Sequence, residues 1–195
     1  MTRQNNGTKN RRPLFGSGLS ILIGILFFRS GFSANEEIPF VPTPLEVVDR
    51  MLELAEVTPA DTIYDLGSGD GRIVIRAAKR FGARGVGIEM DSELIASSRK
   101  KAQEEGVAHL IEFRQADALQ TDVSPATVVT LYMLPWFNDK MAPVLQRQLR
   151  PGARVVAHDF GIEGWEPTRI ETLDKPERKF GEIKRPHKIY LWKIR

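Results

Sequence analysis

The chain has 195 residues, 42% hydrophobic and 27% charged, which suits one domain with an apolar core and excludes both a polytopic membrane protein and a wholly disordered chain. It contains no cysteine, so a disulfide scaffold, a thiol nucleophile and a cysteine-ligated zinc or iron–sulfur site are excluded. The net charge of +3 divides unevenly: residues 1–34 carry +5, residues 35–167 carry −7 and residues 168–195 carry +5, so the body of the chain has no general attraction for a nucleic-acid backbone.

Residues 1–13 are polar and basic, and residues 14–28 form an apolar run broken only by small residues and closed by Arg29. The run is shorter than the ~20 residues that span a bilayer. It fits the apolar core of a secretory signal, with Gly31 and Ser33 offering a cleavage site before Ala34; an uncleaved membrane anchor and an organelle presequence are the alternatives. Basic residues ahead of such a run tend to stay in the cytoplasm, which predicts a membrane-associated or exported domain. The chain is thus divided into a signal-like or anchor segment (1–34), an acidic then Pro-rich linker (35–42) and a domain (43–195).

Thr43 is expected to cap the first helix, with Pro44 in its first turn and Glu46 completing a capping box, and with Leu45, Val48, Leu52 and Ala55 at helical spacing. Residues 62–66 read as a buried strand, 67–71 as a loop and 72–81 as a helix ended by Gly82. A second strand (84–89), a helix (92–105), a third strand (109–113) and a β-branched fourth strand (126–132) follow. Residues 137–149 predict a helix and residues 153–160 a fifth strand. Residues 168–172 and 188–193 predict two final strands joined by a long basic loop. The alternation predicts an α/β, Rossmann-like, doubly wound and mainly parallel seven-stranded sheet with an antiparallel C-terminal hairpin.

In such a sheet a ligand sits beyond the carboxyl ends of the strands, where strand order reverses. The first strand ends in Asp65, and the loop after it carries Gly67, Ser68, Gly69, Asp70 and Gly71. The second strand ends in Glu89, 22 residues after Gly67, the separation at which an acidic side chain meets ribose hydroxyls. Asp117 follows the third strand. A dinucleotide loop would place its third glycine where Arg72 stands, and Asp65 and Asp70 would repel a diphosphate while suiting a ligand that carries an ammonium and a sulfonium. His109, His158 and His187 show no metal-ligand spacing, so no metal is expected, and neither a serine-hydrolase elbow nor a phosphate loop occurs.

Residues 65–71, Asp-Leu-Gly-Ser-Gly-Asp-Gly, resemble motif I of the class I S-adenosylmethionine-dependent methyltransferases, with Glu89 and Asp117-Ala118 matching the acidic residue and the adenine loop that follow. The resemblance implies S-adenosylmethionine as cofactor, a methyltransferase domain over 43–195, and a division of labour among the motif residues. Asp65 and the backbone of Gly67, Ser68, Gly69 and Gly71 hold the methionyl part, Glu89 the ribose, Met90 packs beside the adenine, and Asp117 with Ala118 meets its edge. Val41-Pro42-Thr43-Pro44, Leu134-Pro135, residues 152–156 and Trp165-Glu166-Pro167 are similar to a narrower group. These are the membrane-associated protein-lysine methyltransferases of mitochondria, acting on the ATP synthase c-subunit and the adenine nucleotide translocase, and their bacterial relatives.

That likeness implies a protein partner with a lysine acceptor, a membrane partner through the N-terminal segment, and no nucleic acid. The acceptor slot follows the fourth strand, where the Asn/Asp-Pro-Pro-Tyr tetrapeptide of many nucleic-acid amino-group methyltransferases is absent. Tyr132 and Asp159 are the candidate catalytic residues, and Leu134, Pro135 and Trp136 the candidate substrate contacts. A methyltransferase for a small molecule or lipid group, and a non-catalytic cofactor-binding module, are the alternatives.

Overall fold

A computed structural model describes residues 40–174 and 186–195. The signal-like segment, most of the linker and the middle of the basic loop lie outside the described residues. Among the described residues no helix is long and apolar enough to cross a membrane.

The elements run α1 (Leu45–Leu54), β1 (Thr62–Leu66), α2 (Arg72–Phe81), β2 (Arg84–Glu89), α3 (Ser92–Glu104), β3 (Ile111–Gln115), β4 (Val128–Leu131), α4 (Pro135–Gln148), β5 (Arg154–His158), β6 (Arg169–Leu173) and β7 (His187–Lys193). One seven-stranded sheet has the order β3-β2-β1-β4-β5-β7-β6. Strands β1 to β5 are parallel, and β7 runs antiparallel to both β5 and β6. The expected C-terminal hairpin is therefore present, with its second strand inserted beside β5 and its first strand at the sheet edge. Strand order reverses between β1 and β4, which opens a crevice above their carboxyl ends.

A parallel sheet is covered on both faces, so its central strands are apolar without interruption. All four residues of β4 are buried. Period-two alternation along β1 sends Ile63 to a core shared with Val48 and Leu52 of α1 and Val74 of α2, and Tyr64 and Leu66 to a second core with Phe137 and Met141 of α4. Ion pairs tie the outer helices together: Arg76 grips Asp49 at 2.6 and 2.7 Å, and Arg50 pairs with Glu171 on β6. Exposed pairs of this kind contribute about 0.2–1 kcal/mol each, so burial holds the fold.

The structure corrects two expectations next to the crevice. Helix α1 begins one residue after Pro44 and has no side-chain cap; the buried Thr43 hydroxyl lies 3.3 Å from Nδ1 of His158 instead. Its carbonyl is also taken, accepting from Arg72 Nη1 at 2.8 Å, so Thr43 is drawn inward by two partners from distant chain segments. Helix α4 begins at Pro135 rather than Phe137, because proline has no N–H to lose in a first turn and its φ is preset for the helix. Pro135 and Trp136 are thus helical residues, and Leu134 is the N-cap.

Candidate active site

The loop between β1 and α2 turns on glycines in the left-handed region, with φ of 80° at Gly67, 53° at Gly69 and 74° at Gly71. The N–H groups of Gly67 and Ser68 both donate to Ile88 O at 2.9 Å, which pins the loop to β2. Glu89 closes that arrangement. Its Oε2 accepts from Gly69 N at 2.9 Å, and its Oε1 accepts from Met90 N and Asp91 N at 2.7 and 3.1 Å. A carboxylate bonded by three backbone N–H groups is held in one orientation across the loop.

Asp65 lies beneath the same loop, wholly enclosed. The Thr130 hydroxyl donates to its Oδ1 at 2.6 Å, and its Oδ2 has no hydrogen-bond partner among the described residues. Burial pushes its pKa up to about 7, with the charges of Glu89 and Asp70 adding to the rise and the Thr130 bond opposing it. The buried Ser68 Oγ also lacks a partner among the described residues. Two orphaned polar atoms under one loop mark a place for a ligand or water to bind.

Asp70 behaves differently from the expectation that it flanks the ligand as a free charge. Arg72 grips it through Nε and Nη2 at 2.8 Å each, and Lys101 Nζ donates to Oδ2 at 2.7 Å. Against the cost of burial, these bonds hold its pKa down at about 2. Arg72 N also donates to Asp70 Oδ1 at 3.3 Å, so the start of α2 is already met by an internal carboxylate. Arg72 and Lys101 are both engaged with Asp70, whereas the hydrogen bonds to Asp65 and Glu89 come from a hydroxyl and from backbone N–H groups.

The glycines are not equivalent. A Cβ at Gly71 would sit 2.7 Å from the buried Phe113 ring, so this glycine serves helix–sheet packing. A Cβ at Gly67 or Gly69 would meet Met133 or Phe40, and Phe40 is 49% exposed. The expected open backbone at Gly67 and Gly69 is thus covered by two of the protein's own side chains, one of them on a solvent-facing segment. At the rim, Met90 is 68% exposed, with its carbonyl accepting from Gln115 Nε2 at 3.1 Å. Asp117 caps the short 3-10 turn Ala118–Gln120: its Oδ1 accepts from Leu119 N and its Oδ2 from Gln120 Nε2, both at 2.9 Å, while Ala118 is buried.

Beyond β4 and β5, Tyr132 and Asp159 are brought to the same residue, His158 at the end of β5. The Tyr132 and His158 rings are 4.0 Å apart, and Asp159 Oδ2 is 3.4 Å from His158 Nε2. His187, at the start of β7, places Nδ1 2.8 Å from His158 Nε2. Three side chains with metal-ligating atoms thus converge although their spacing in sequence gives no sign of it. Trp136 is partly buried on α4, where Lys140 Nζ lies 4.9 Å above its ring and Phe137 packs edge-on at 5.9 Å. Pro135 is exposed at the start of α4 and Leu134 is half-buried before it.

The contacts made by Thr43, His158, His187, Thr130, Met133 and Phe40 were not foreseen from the sequence. A histidine ending the apolar run Val155-Val156-Ala157 was the available signal, since a buried polar residue needs partners. The other contacts arise from chain segments that only the fold brings together.

The ANTKMT methyltransferase domain family matches residues 65–169. A protein-lysine N-methyltransferase of Saccharolobus islandicus is 39% identical over 80% of this chain and 94% of its own length. A Xenopus laevis lysine N-methyltransferase of the ATP synthase c-subunit is 35% identical over 68% of this chain, which spans only 58% of the frog protein. Among solved structures, an RNA methyltransferase from Salinibacter ruber in complex with S-adenosylhomocysteine is 55% identical, with a TM-score of 0.71 over 79% of this chain and 94% of that one. A Geobacter sulfurreducens methyltransferase bound to the same product is 25% identical, with a TM-score of 0.52 over 74% of this chain and 55% of that one. The orphaned Asp65 oxygen, the oriented Glu89 and the self-neutralised Asp70 fit a nucleoside that carries ammonium and sulfonium charge. The cofactor is accordingly S-adenosylmethionine, the protein is an S-adenosylmethionine-dependent methyltransferase, and the chain belongs to the ANTKMT methyltransferase domain family.

Proposed function

We propose that the chain is a protein-lysine N-methyltransferase. The carrying observation is the acceptor edge itself, where Tyr132 and Asp159 meet on His158 within a body whose residues 35–167 have a net charge of −7. A phenol beside a largely buried carboxylate, in a body of net negative charge, favours a lysine amine over a phosphodiester. The name of the Saccharolobus islandicus relative supports this reading; that of the Salinibacter ruber structure favours RNA as the second one.

When bound, the cofactor supplies an electrophilic methyl group on a sulfonium. Asp65 would hold its ammonium, with the backbone of Gly67, Ser68 and Gly69 around the methionyl chain. Glu89 would take the ribose hydroxyls, Met90 a face of the adenine, and Asp117 with Ala118 the adenine edge. Passing that methyl to an acceptor nitrogen would leave a neutral thioether. Little charge then needs stabilising, so the protein contributes alignment and exclusion of water. Phe40 and Met133 cover the loop glycines from the solvent side and the β4 side, and Tyr132 and Asp159 receive the amine, which must be neutral to attack. Asp159, beside His158, would accept its proton.

The test is transfer from methyl-tritiated cofactor into a cell extract, with the products divided by protease and ribonuclease. Label released by protease and found by mass spectrometry on lysine Nε is the expected result. Ribonuclease-sensitive label would establish the RNA reading, and label in the organic phase a lipid or small-molecule acceptor. Action near a membrane belongs to the same proposal and rests on residues 14–28. Deletion of residues 1–34 is expected to move the protein from the membrane fraction to the supernatant; unchanged fractionation would remove that part.

A further inference from the structure

We propose that His158 is the positioning residue of the acceptor slot, and that Thr43 ties it to the cofactor loop. The inference rests on the methyltransferase reading and deepens it. His158 has no exposed surface, so it cannot touch an acceptor. A polar ring enclosed in this way is destabilising unless its nitrogens are bonded, and here both face partners. Thr43 Oγ1 lies 3.3 Å from Nδ1, and His187 Nδ1 lies 2.8 Å from Nε2. The second separation is that of a direct hydrogen bond; two nitrogens sharing a tetrahedral metal at 2.0–2.1 Å would stand about 3.3 Å apart. Bonded at both ends, the imidazole is fixed in its plane.

That plane is the support of the acceptor side. Tyr132 rests on it at 4.0 Å with a tilt of 35°. Asp159, held at φ 63° with its N–H donating to Lys188 O at 2.7 Å, places Oδ2 3.4 Å from Nε2. A non-glycine residue held at positive φ marks a side chain whose direction matters. The same histidine thus lies against both side chains that would meet the amine, with Lys188 N also donating to Asp159 Oδ1 at 3.1 Å.

Thr43 extends the connection. Its hydroxyl meets His158 and its carbonyl accepts from Arg72, which grips Asp70 in the glycine loop. A continuous hydrogen-bonded path therefore runs from the cofactor loop to the support of the acceptor slot, through a threonine that sequence pattern assigns to a helix cap. An in-line displacement tolerates little misplacement, and an error of about 1 Å costs up to about a hundredfold in rate.

The test uses the full chain and three variants: Thr43→Val, which removes only the hydroxyl, His158→Gln, which retains a polar group toward His187, and Glu163→Gln, an exposed control. Three readouts are taken on each: affinity for S-adenosylhomocysteine by calorimetry, the ring resonances of Tyr132 by NMR (the chain has three tyrosines), and the initial rate of tritium transfer into extract. Thr43→Val and His158→Gln are expected to bind the product within twofold of wild type, to shift the Tyr132 resonances, and to lose at least tenfold in transfer rate. Unchanged Tyr132 resonances in both variants would overturn the proposal. So would an unchanged transfer rate, or a loss of product affinity large enough to account for the slower transfer. If wild type binds S-adenosylhomocysteine but labels no fraction of the extract, the acceptor reading fails, and Tyr132 alone decides the positioning role.

Discussion

Asp65 occupies a position where a carboxylate is difficult to ionise: enclosed, with one neutral hydroxyl donor and two other acids nearby. Its pKa of about 7 stands above the ordinary 3.8, so the folded protein holds a proton there that the unfolded chain has released. Between pH 4 and 7 the native state binds more protons at this site, and stability from this group falls as pH rises through that window. Replacing the acid by Asp65→Asn is therefore expected to raise the melting temperature of the cofactor-free protein more at pH 8 than at pH 5. Binding has the opposite sign. Only the ionised form attracts the cofactor's ammonium, so affinity is expected to rise roughly tenfold from pH 6 to pH 8, and Asp65→Asn to abolish that slope. Calorimetry across the range checks both; a flat profile in wild type would contradict the assignment. The sequence revealed Asp65 and Glu89 as a pair because motif spacing carries them. It misread Asp70 because the two cations that neutralise it, Arg72 two residues on and Lys101 on α3, act through side-chain geometry that spacing does not encode.

At the scale of elements, the loop between β1 and α2 divides into a structural part and an exposed part. Gly71→Ala would press a Cβ into Phe113 and Ser98 in a left-handed backbone, and overpacking together with that backbone strain costs about 2–5 kcal/mol. Gly69→Ala meets first the ring of the half-exposed Phe40, which has room to turn outward, so it should cost about 1–2 kcal/mol, chiefly from the backbone. Urea unfolding of the two variants is expected to rank them in that order; equal midpoints would show that both glycines serve packing. Removing the clamp by Arg72→Gln frees Asp70 of its bidentate partner and Thr43 of its carbonyl donor. A loss of about 2 kcal/mol follows, or about 4–8 °C in melting temperature. Element positions were legible because β-branched runs mark strands such as β1 and glycine stops mark helices such as α2. Element ends were less so. Pro135 and Trp136 read as a loop although proline opens a helix, and Thr43 read as a cap although its hydroxyl is claimed by a residue 115 positions away.

Across the whole molecule, the order β3-β2-β1-β4-β5-β7-β6 places every chemically distinctive residue at one edge of the sheet. The residues proposed to hold the cofactor lie on β1 and β2 and the loops after β1, β2 and β3, and those proposed to meet the acceptor follow β4 and β5. Alternating strands and helices made that division readable in advance. The His158–His187 pair was not, because it depends on β7 lying beside β5 in one antiparallel register. The two halves meet at the reversal between β1 and β4, where Thr130 bonds Asp65 and Met133 covers Gly67. The whole account depends on the glycine loop, Asp65 and Glu89 forming one cofactor site. Calorimetric titration of S-adenosylmethionine into the wild-type chain and into Glu89→Ala tests it most directly. Micromolar binding by wild type, weakened at least tenfold in the variant, or about 1.4 kcal/mol, is the predicted result. No binding by wild type, or equal affinity in the two proteins, would contradict it.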